Sequence, residues 1–150
     1  MPGAPAALTD LPENGLVHGS TVAVANRALL ILGPSGSGKS GLALQLIALG
    51  ARLVSDDQTR LTAANGQVIA SAPETILGQI EARGLGILTV SPAPPTPLAA
   101  VLDLAQIETH RLPDPKTVTI LGTKVPLLHE AATAHFPSAL FVYLGGERSA

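Results

Sequence analysis

The chain has 150 residues, 9 Lys and Arg against 11 Asp and Glu, a formal net charge of -2, and only two Phe, one Tyr and no Trp. That balance excludes a nucleic-acid binder, which needs a basic face and rings on which bases stack. The absence of Cys excludes a disulfide framework, a thiolate metal site and a cysteine nucleophile, and it suits a reducing compartment, so the cytoplasm is the expected location.

Residues 1–15, MPGAPAALTDLPENG, carry no basic stretch followed by an apolar one, and read as a flexible N-terminal arm without a targeting signal. Nowhere do about 18 consecutive apolar residues occur, so no membrane segment is expected. Residues 16–150 fit one domain. Within it, VHGSTVAV alternates as a strand over 17–24, Ala25-Asn26-Arg27 makes a turn, and ALLIL at 28–32 is apolar throughout, as in a strand covered on both faces.

That run feeds GPSGSGKS at 33–40 directly. A helix follows over 39–49, with Leu42, Leu46 and Leu49 on one face and Gly50 as its C-terminal stop. RLVS at 52–55 reads as a strand with Asp56 and Asp57 at its carboxyl end, where open α/β sheets bind ligands. Asn65-Gly66 signals a hairpin between strands at 60–63 and 67–70. GQIEARGLGILTV at 78–90 ends in a strand over 86–90. Pro92, Pro94, Pro95 and Pro97 make a stiff surface connection of polyproline type. Strands are expected at 98–104 and 118–121, and a Pro-broken helix over about 130–144.

The pattern is strand, glycine loop, helix, and it carries chemistry. Gly33, Pro34, Ser35, Gly36, Ser37 and Gly38 let backbone N–H groups and the helix N-terminus wrap a phosphate; Lys39 reaches the β- and γ-phosphates, and the Ser40 hydroxyl ligates Mg²⁺. ATP and Mg²⁺ are the expected cofactors. Neighbouring side chains on a strand end point to opposite sides, so Asp56 and Asp57 serve different tasks, one toward the metal and one toward an acceptor hydroxyl, unless the pair is only a solvated acidic turn. Glu81 and Arg83 share a face of an extended segment, and Gly84 and Gly86 admit close backbone approach; a surface ion pair beside a flexible turn has the same spacing. His18 and the His110-Arg111 pair have exposed or structural alternatives, and His129 and His135 lack metal-ligand spacing.

The loop alone leaves three classes open: a nucleotide switch, a small-metabolite kinase and a protein kinase. No D-x-x-G segment occurs, and Thr123-Lys124-Val125-Pro126 has Pro where a guanine-reading T-K-x-D needs Asp. An Arg-rich lid is also missing, so water is best excluded by a large docking partner, which favours a protein acceptor.

Taken together, His18-Gly19, GPSGSGKS, LVSDD and IEARGLGIL, in this order and spacing, resemble the catalytic domain of the HPr kinase/phosphorylase family. The resemblance implies a P-loop kinase domain of α/β class, with a mixed, partly antiparallel sheet and a few packed helices, related to phosphoenolpyruvate carboxykinase. It implies transfer of a phosphoryl group from ATP to a serine of the phosphocarrier HPr. Asp57 would be the base, His18 its helper, Ser40 and Glu81 the metal site, and Arg111, in Arg111-Leu112-Pro113, the catalytic arginine. It further implies a homo-oligomer, hexameric in full-length members, and the short, alphaproteobacterial type consisting of the catalytic domain alone. The P-V-R-P-G-R-N segment associated with phosphorolysis is replaced by LLHEAATAHFPSALF, so the forward reaction is the expected one.

Overall fold

The run Ala28-Leu29-Leu30-Ile31-Leu32 lies at the centre of the molecule with every residue buried, as its unbroken apolar pattern requires. The computed structural model describes residues 4–146. Its elements are β1 (Gly15–His18), β2 (Ser20–Val24), β3 (Arg27–Leu32), α1 (Lys39–Leu49), β4 (Arg52–Ser55), β5 (Gln58–Ala64), β6 (Gln67–Ser71), β7 (Gln79–Ala82), β8 (Gly86–Thr89), β9 (Thr96–Glu108), β10 (Thr117–Ile120), β11 (Thr123–Ala131) and α2 (Phe136–Gly145).

One curled, mixed sheet runs β1-β5-β6-β9-β3-β2-β4, with β11 added to β9 and β10 to β11, while β7 and β8 form a separate hairpin. The β3/β9 and β9/β11 pairs are parallel, and the other pairs are antiparallel. This is the expected α/β class with a partly antiparallel sheet. Side chains alternate across a strand, so β3 feeds two cores. Leu29 and Ile31 pack with Leu42, Leu46, Leu102, Leu140 and Leu144 between the sheet and the two helices. Ala28, Leu30 and Leu32 pack with Val54, Leu61, Val68, Val101 and Val118 inside the curl.

The strand expected over 17–24 is two strands, because the chain breaks at Gly19. A Cβ there would lie 2.8 Å from the Ile31 carbonyl oxygen and 2.9 Å from Leu32 Cδ2, so β3 approaches too closely for any side chain. The corner is pinned by hydroxyls. Thr59 Oγ1 donates to the Gly19 carbonyl at 3.1 Å, which spends its only proton and leaves Thr21 as donor in the 2.8 Å Thr21–Thr59 bond.

Three other expectations change on folding. The segment before Leu16 is held from Leu8 onward: Leu8 is buried in the core inside the curl, and Leu11 packs against it. The proline-rich connection is a packed strap, where Ala93 is buried and donates its N–H to the Leu53 carbonyl at 2.7 Å. The stretch expected as a helix over 130–144 divides into the end of β11 and α2. Pro126 did not prevent β11, because it sits where the strand changes partner: residues through Pro126 pair with β10, and from Leu127 onward the strand pairs with β9. A residue without an N–H is tolerated at such a break in the ladder.

Candidate active site

Leaving β3, the chain turns through residues 33–38 into α1, and Gly36 and Gly38 take left-handed φ values of +81° and +99° that side chains rarely adopt. The loop is tight at its base, where a Cβ on Gly33 would meet Leu104 Cβ of β9 at 3.1 Å. Lys39 is buried in the first turn of α1, and its Nζ donates to the carbonyls of Gly33 at 2.8 Å and Pro34 at 3.2 Å. An ammonium has three protons, so one remains for a ligand. Ser37 Oγ is sealed and without a hydrogen-bond partner, alone in this among the described residues.

Just past the end of β4 at Ser55 the two aspartates part, through a turn rather than the strand alternation expected of them. Asp56 is buried and points under the loop. Its Oδ1 accepts from Ser40 Oγ at 2.7 Å and Ser20 Oγ at 2.8 Å, and its Oδ2 accepts from the Glu81 N–H at 3.1 Å. One carboxylate therefore joins β2, α1 and β7. Because Ser40 gives its proton to Asp56, its lone pairs are left outward for a cation.

Asp57 adopts φ +69°, a conformation that Asp tolerates better than most residues, and this swings its side chain away from Asp56. Its Oδ1 lies 3.0 Å from His18 Nε2 at the end of β1, and its carboxylate is 72% exposed. Gly19 N–H donates to the Asp57 carbonyl at 2.9 Å, so the break between β1 and β2 also fixes the turn that carries this residue.

The β7–β8 hairpin closes the third side. Ile80 is buried in the helix-side core and anchors the hairpin, while Glu81 and Arg83 are exposed. Glu81, on β7, and Arg83, in the turn just after it, both line a single cleft of about 450 Å³, together with His18, Lys39, Ser40 and Asp57. No ion pair joins Glu81 to Arg83 among the described residues. Nor do three or more His, Cys, Asp or Glu side chains there converge as a metal cage. Mg²⁺ does not need one, since it is commonly held by one or two protein oxygens, water and nucleotide phosphates. Ser40, Glu81 and the aspartates suit that mode.

Arg111, expected among the catalytic residues, is not in this cleft. It lies in the connection from β9 to β10 and lines a second cavity, with His129, Phe136, Leu140 and Tyr143. One residue of the cleft has no counterpart among the sequence expectations: Ser20, buried with its hydroxyl on Asp56. The available signal was a small polar residue inside an apolar alternating run, two positions after His18.

The model of the HPr Serine kinase C-terminal domain family matches residues 9–93, more than half of the chain. The chain belongs to this family. The matched span holds every cleft residue named above and ends before Arg111. Among curated relatives, the HPr kinase/phosphorylase of Clostridium beijerinckii is 46% identical over 80 residues, 53% of this chain and 26% of the relative. That of Brevibacillus brevis is 32% identical over 139 residues, 81% of this chain and 45% of the relative. The chain thus spans about a quarter of the length of the first of these and under half of the second. The solved structure of the Hpr(Ser) kinase/phosphatase from Coxiella burnetii superimposes with a TM-score of 0.74 at 28% identity, covering 85% of this chain and 91% of that one. The fold thus has a solved counterpart.

Proposed function

We propose that the protein is an ATP- and Mg²⁺-dependent protein serine kinase of the cytoplasm that phosphorylates the phosphocarrier HPr, in the forward direction. The observation that carries this reading is that Asp57 and His18 share one cleft with the phosphate loop, with the Asp57 carboxylate exposed to it. A nucleotide switch has no use for a carboxylate poised for an acceptor, whereas an attacking serine hydroxyl needs a base within hydrogen-bond reach.

Loop amides and the Lys39 ammonium would hold the β- and γ-phosphates. Ser40, aimed by Asp56, and Glu81 would hold Mg²⁺, which supplies charge neutralisation on the transferring group. Asp57, steadied by His18, would accept the serine proton as that oxygen attacks the γ-phosphorus in line with the departing ADP oxygen. The remaining requirement is exclusion of water. Leu85 and Ile87 on the hairpin are 80% and 63% exposed beside the cleft, and they are the kind of surface that a protein acceptor covers.

Incubating the protein with γ-labelled ATP, Mg²⁺ and purified HPr tests the reading. A labelled phosphoserine on HPr is expected. Nucleotide hydrolysis with HPr left unlabelled would return the protein to the switch class. Adding inorganic phosphate to the labelled product then measures any reverse reaction.

A further inference from the structure

The second cavity, about 270 Å³, lies between the β9–β10 connection, β11 and α2. It is near the lower end of the usual size range of ligand pockets, about 300–1,000 Å³, which suits a small metabolite rather than a nucleotide. Its walls are Leu127, Leu128, Phe136, Leu140 and Tyr143. Three polar features break this apolar lining.

His129 on β11 is 9% exposed and has no hydrogen bond among the described residues. Its ring nitrogens are not among the sealed, unpartnered atoms, so they keep access to open volume. The imidazole is therefore available to pair with a ligand in the cavity. At the mouth, Glu108 is fully engaged: it accepts from Lys116 Nζ at 3.0 Å and from the N–H groups of Thr109 and His110, and it lies 3.4 Å from the His110 ring. That leaves Arg111 and Asp114, both exposed and lining the cavity, with no ion pair to each other or to anything else among the described residues. Two unpaired opposite charges three residues apart, over an apolar pocket holding an unpartnered imidazole, form a site for a zwitterion with an apolar side chain.

We propose that this cavity binds a free apolar α-amino acid of branched-chain size. Arg111 receives the carboxylate, Asp114 the ammonium, His129 a further hydrogen bond, and the Leu127–Leu140 wall the hydrocarbon side chain. Both charged groups of the ligand are used, which separates this class from simple fatty acids and amines. The site is distinct from the phosphate-loop cleft and shares no residue with its lining.

Tyr143 is the only Tyr, and the chain has no Trp, so intrinsic fluorescence reports on this wall alone. Titration of the intact protein with L-leucine is expected to give a saturable change in Tyr143 emission in the millimolar range or below. 4-Methylpentanoate, which lacks the ammonium, and 3-methylbutylamine, which lacks the carboxylate, should each bind about tenfold more weakly or worse, as the loss of a charge-assisted hydrogen bond implies. Arg111→Ala should make leucine and 3-methylbutylamine bind alike, and Asp114→Asn should do the same for leucine and 4-methylpentanoate. Thermal melts by circular dichroism confirm that both loop variants are folded. No saturable change with leucine, or folded variants that bind leucine as the parent does, overturns the proposal. Equal binding of 4-methylpentanoate and leucine by the parent overturns the amino-acid assignment in favour of a monocarboxylate. No nucleotide enters the readout, so failure here leaves the phosphotransfer reading untouched.

Discussion

The two cavities lie on the same scaffold and are built in opposite ways. In the phosphate-loop cleft the polar side chains around the loop are tied down in advance, Ser40 and Ser20 on Asp56, His18 against Asp57, Lys39 against its own loop, while Glu81 and Arg83 stay exposed and without an ion pair among the described residues. The cavity under α2 is walled by apolar side chains and leaves its polar groups at Arg111, Asp114 and His129 unpaired. Stabilising charge that develops during a reaction requires dipoles already in place, because reorganising them costs what catalysis would gain. A pocket that recognises a ligand by burial can leave its polar groups waiting. Pre-paired polar groups therefore mark the reacting site here more reliably than apolar character does.

Substitutions on the reacting side should have the largest effects. Asp57→Asn is expected to lower kcat for HPr phosphorylation roughly 100- to 10,000-fold, the usual contribution of general base catalysis, with ATP affinity by calorimetry little changed. Normal turnover in that variant would remove Asp57 as the base. Lys39→Met should lower kcat about 100- to 1,000-fold, as does loss of one charge-stabilising donor elsewhere, and should weaken ATP binding as well. The two variants differ in the binding arm, which makes them informative as a pair.

Asp56→Ala orphans three donors at once, from Ser20, Ser40 and Glu81. Urea unfolding should show a loss of about 1–3 kcal/mol for the stranded groups, accompanied by weaker Mg²⁺ dependence of nucleotide binding. If Asp56→Ala were as stable as the parent, the cleft would not be pre-paired and the contrast between the two cavities would fail.

On the other side, Glu108 offers a pH test. Burial raises its pKa, but the Lys116 ammonium and the hydrogen bonds from His110 outweigh that and bring it down from the ordinary 4.5 to about 2. A depressed carboxylate stabilises the fold fully above its unfolded pKa, and that contribution is lost as pH falls from 4.5 through about 2. Unfolding followed across this window should lose stability more steeply in the parent than in Glu108→Gln. The smallest stability effect belongs to Leu85→Ser at the exposed hairpin tip: within about 0.5 kcal/mol of the parent. Its KM for HPr should nevertheless rise while its KM for ATP stays constant. A change in both would place Leu85 in the nucleotide site rather than at the acceptor surface.

Much of the fold could be read from local pattern. The β3–loop–α1 unit lies where the apolar run, the glycines and the leucine periodicity placed it, and Asn65-Gly66 marks the β5–β6 turn, with both residues at positive φ. The separation of Asp56 from Asp57 rests instead on the left-handed φ of Asp57, in the turn after β4 has ended. The misread parts all involve long-range partners. Gly19 looks like any residue in an alternating strand until β3 is laid against it. The local pattern marks no strand across Pro126, and β11 forms there because it exchanges β10 for β9 at that point. Arg111 is displaced from the cleft for the same reason, since its position depends on how β9, β10 and β11 pair, and no local periodicity encodes that.

Sequence by itself determined the phosphate loop, its flanking strand and helix, the pair of acids and the family, because those features rest on backbone conformation and side-chain period within a few residues. Only the tertiary structure decided which acid is tied beneath Ser40 and which faces the open cleft beside His18, and that Arg111 stands over a different cavity altogether. Those outcomes depend on strands distant in sequence coming within hydrogen-bond distance, and such pairings are settled by the packing of the whole sheet.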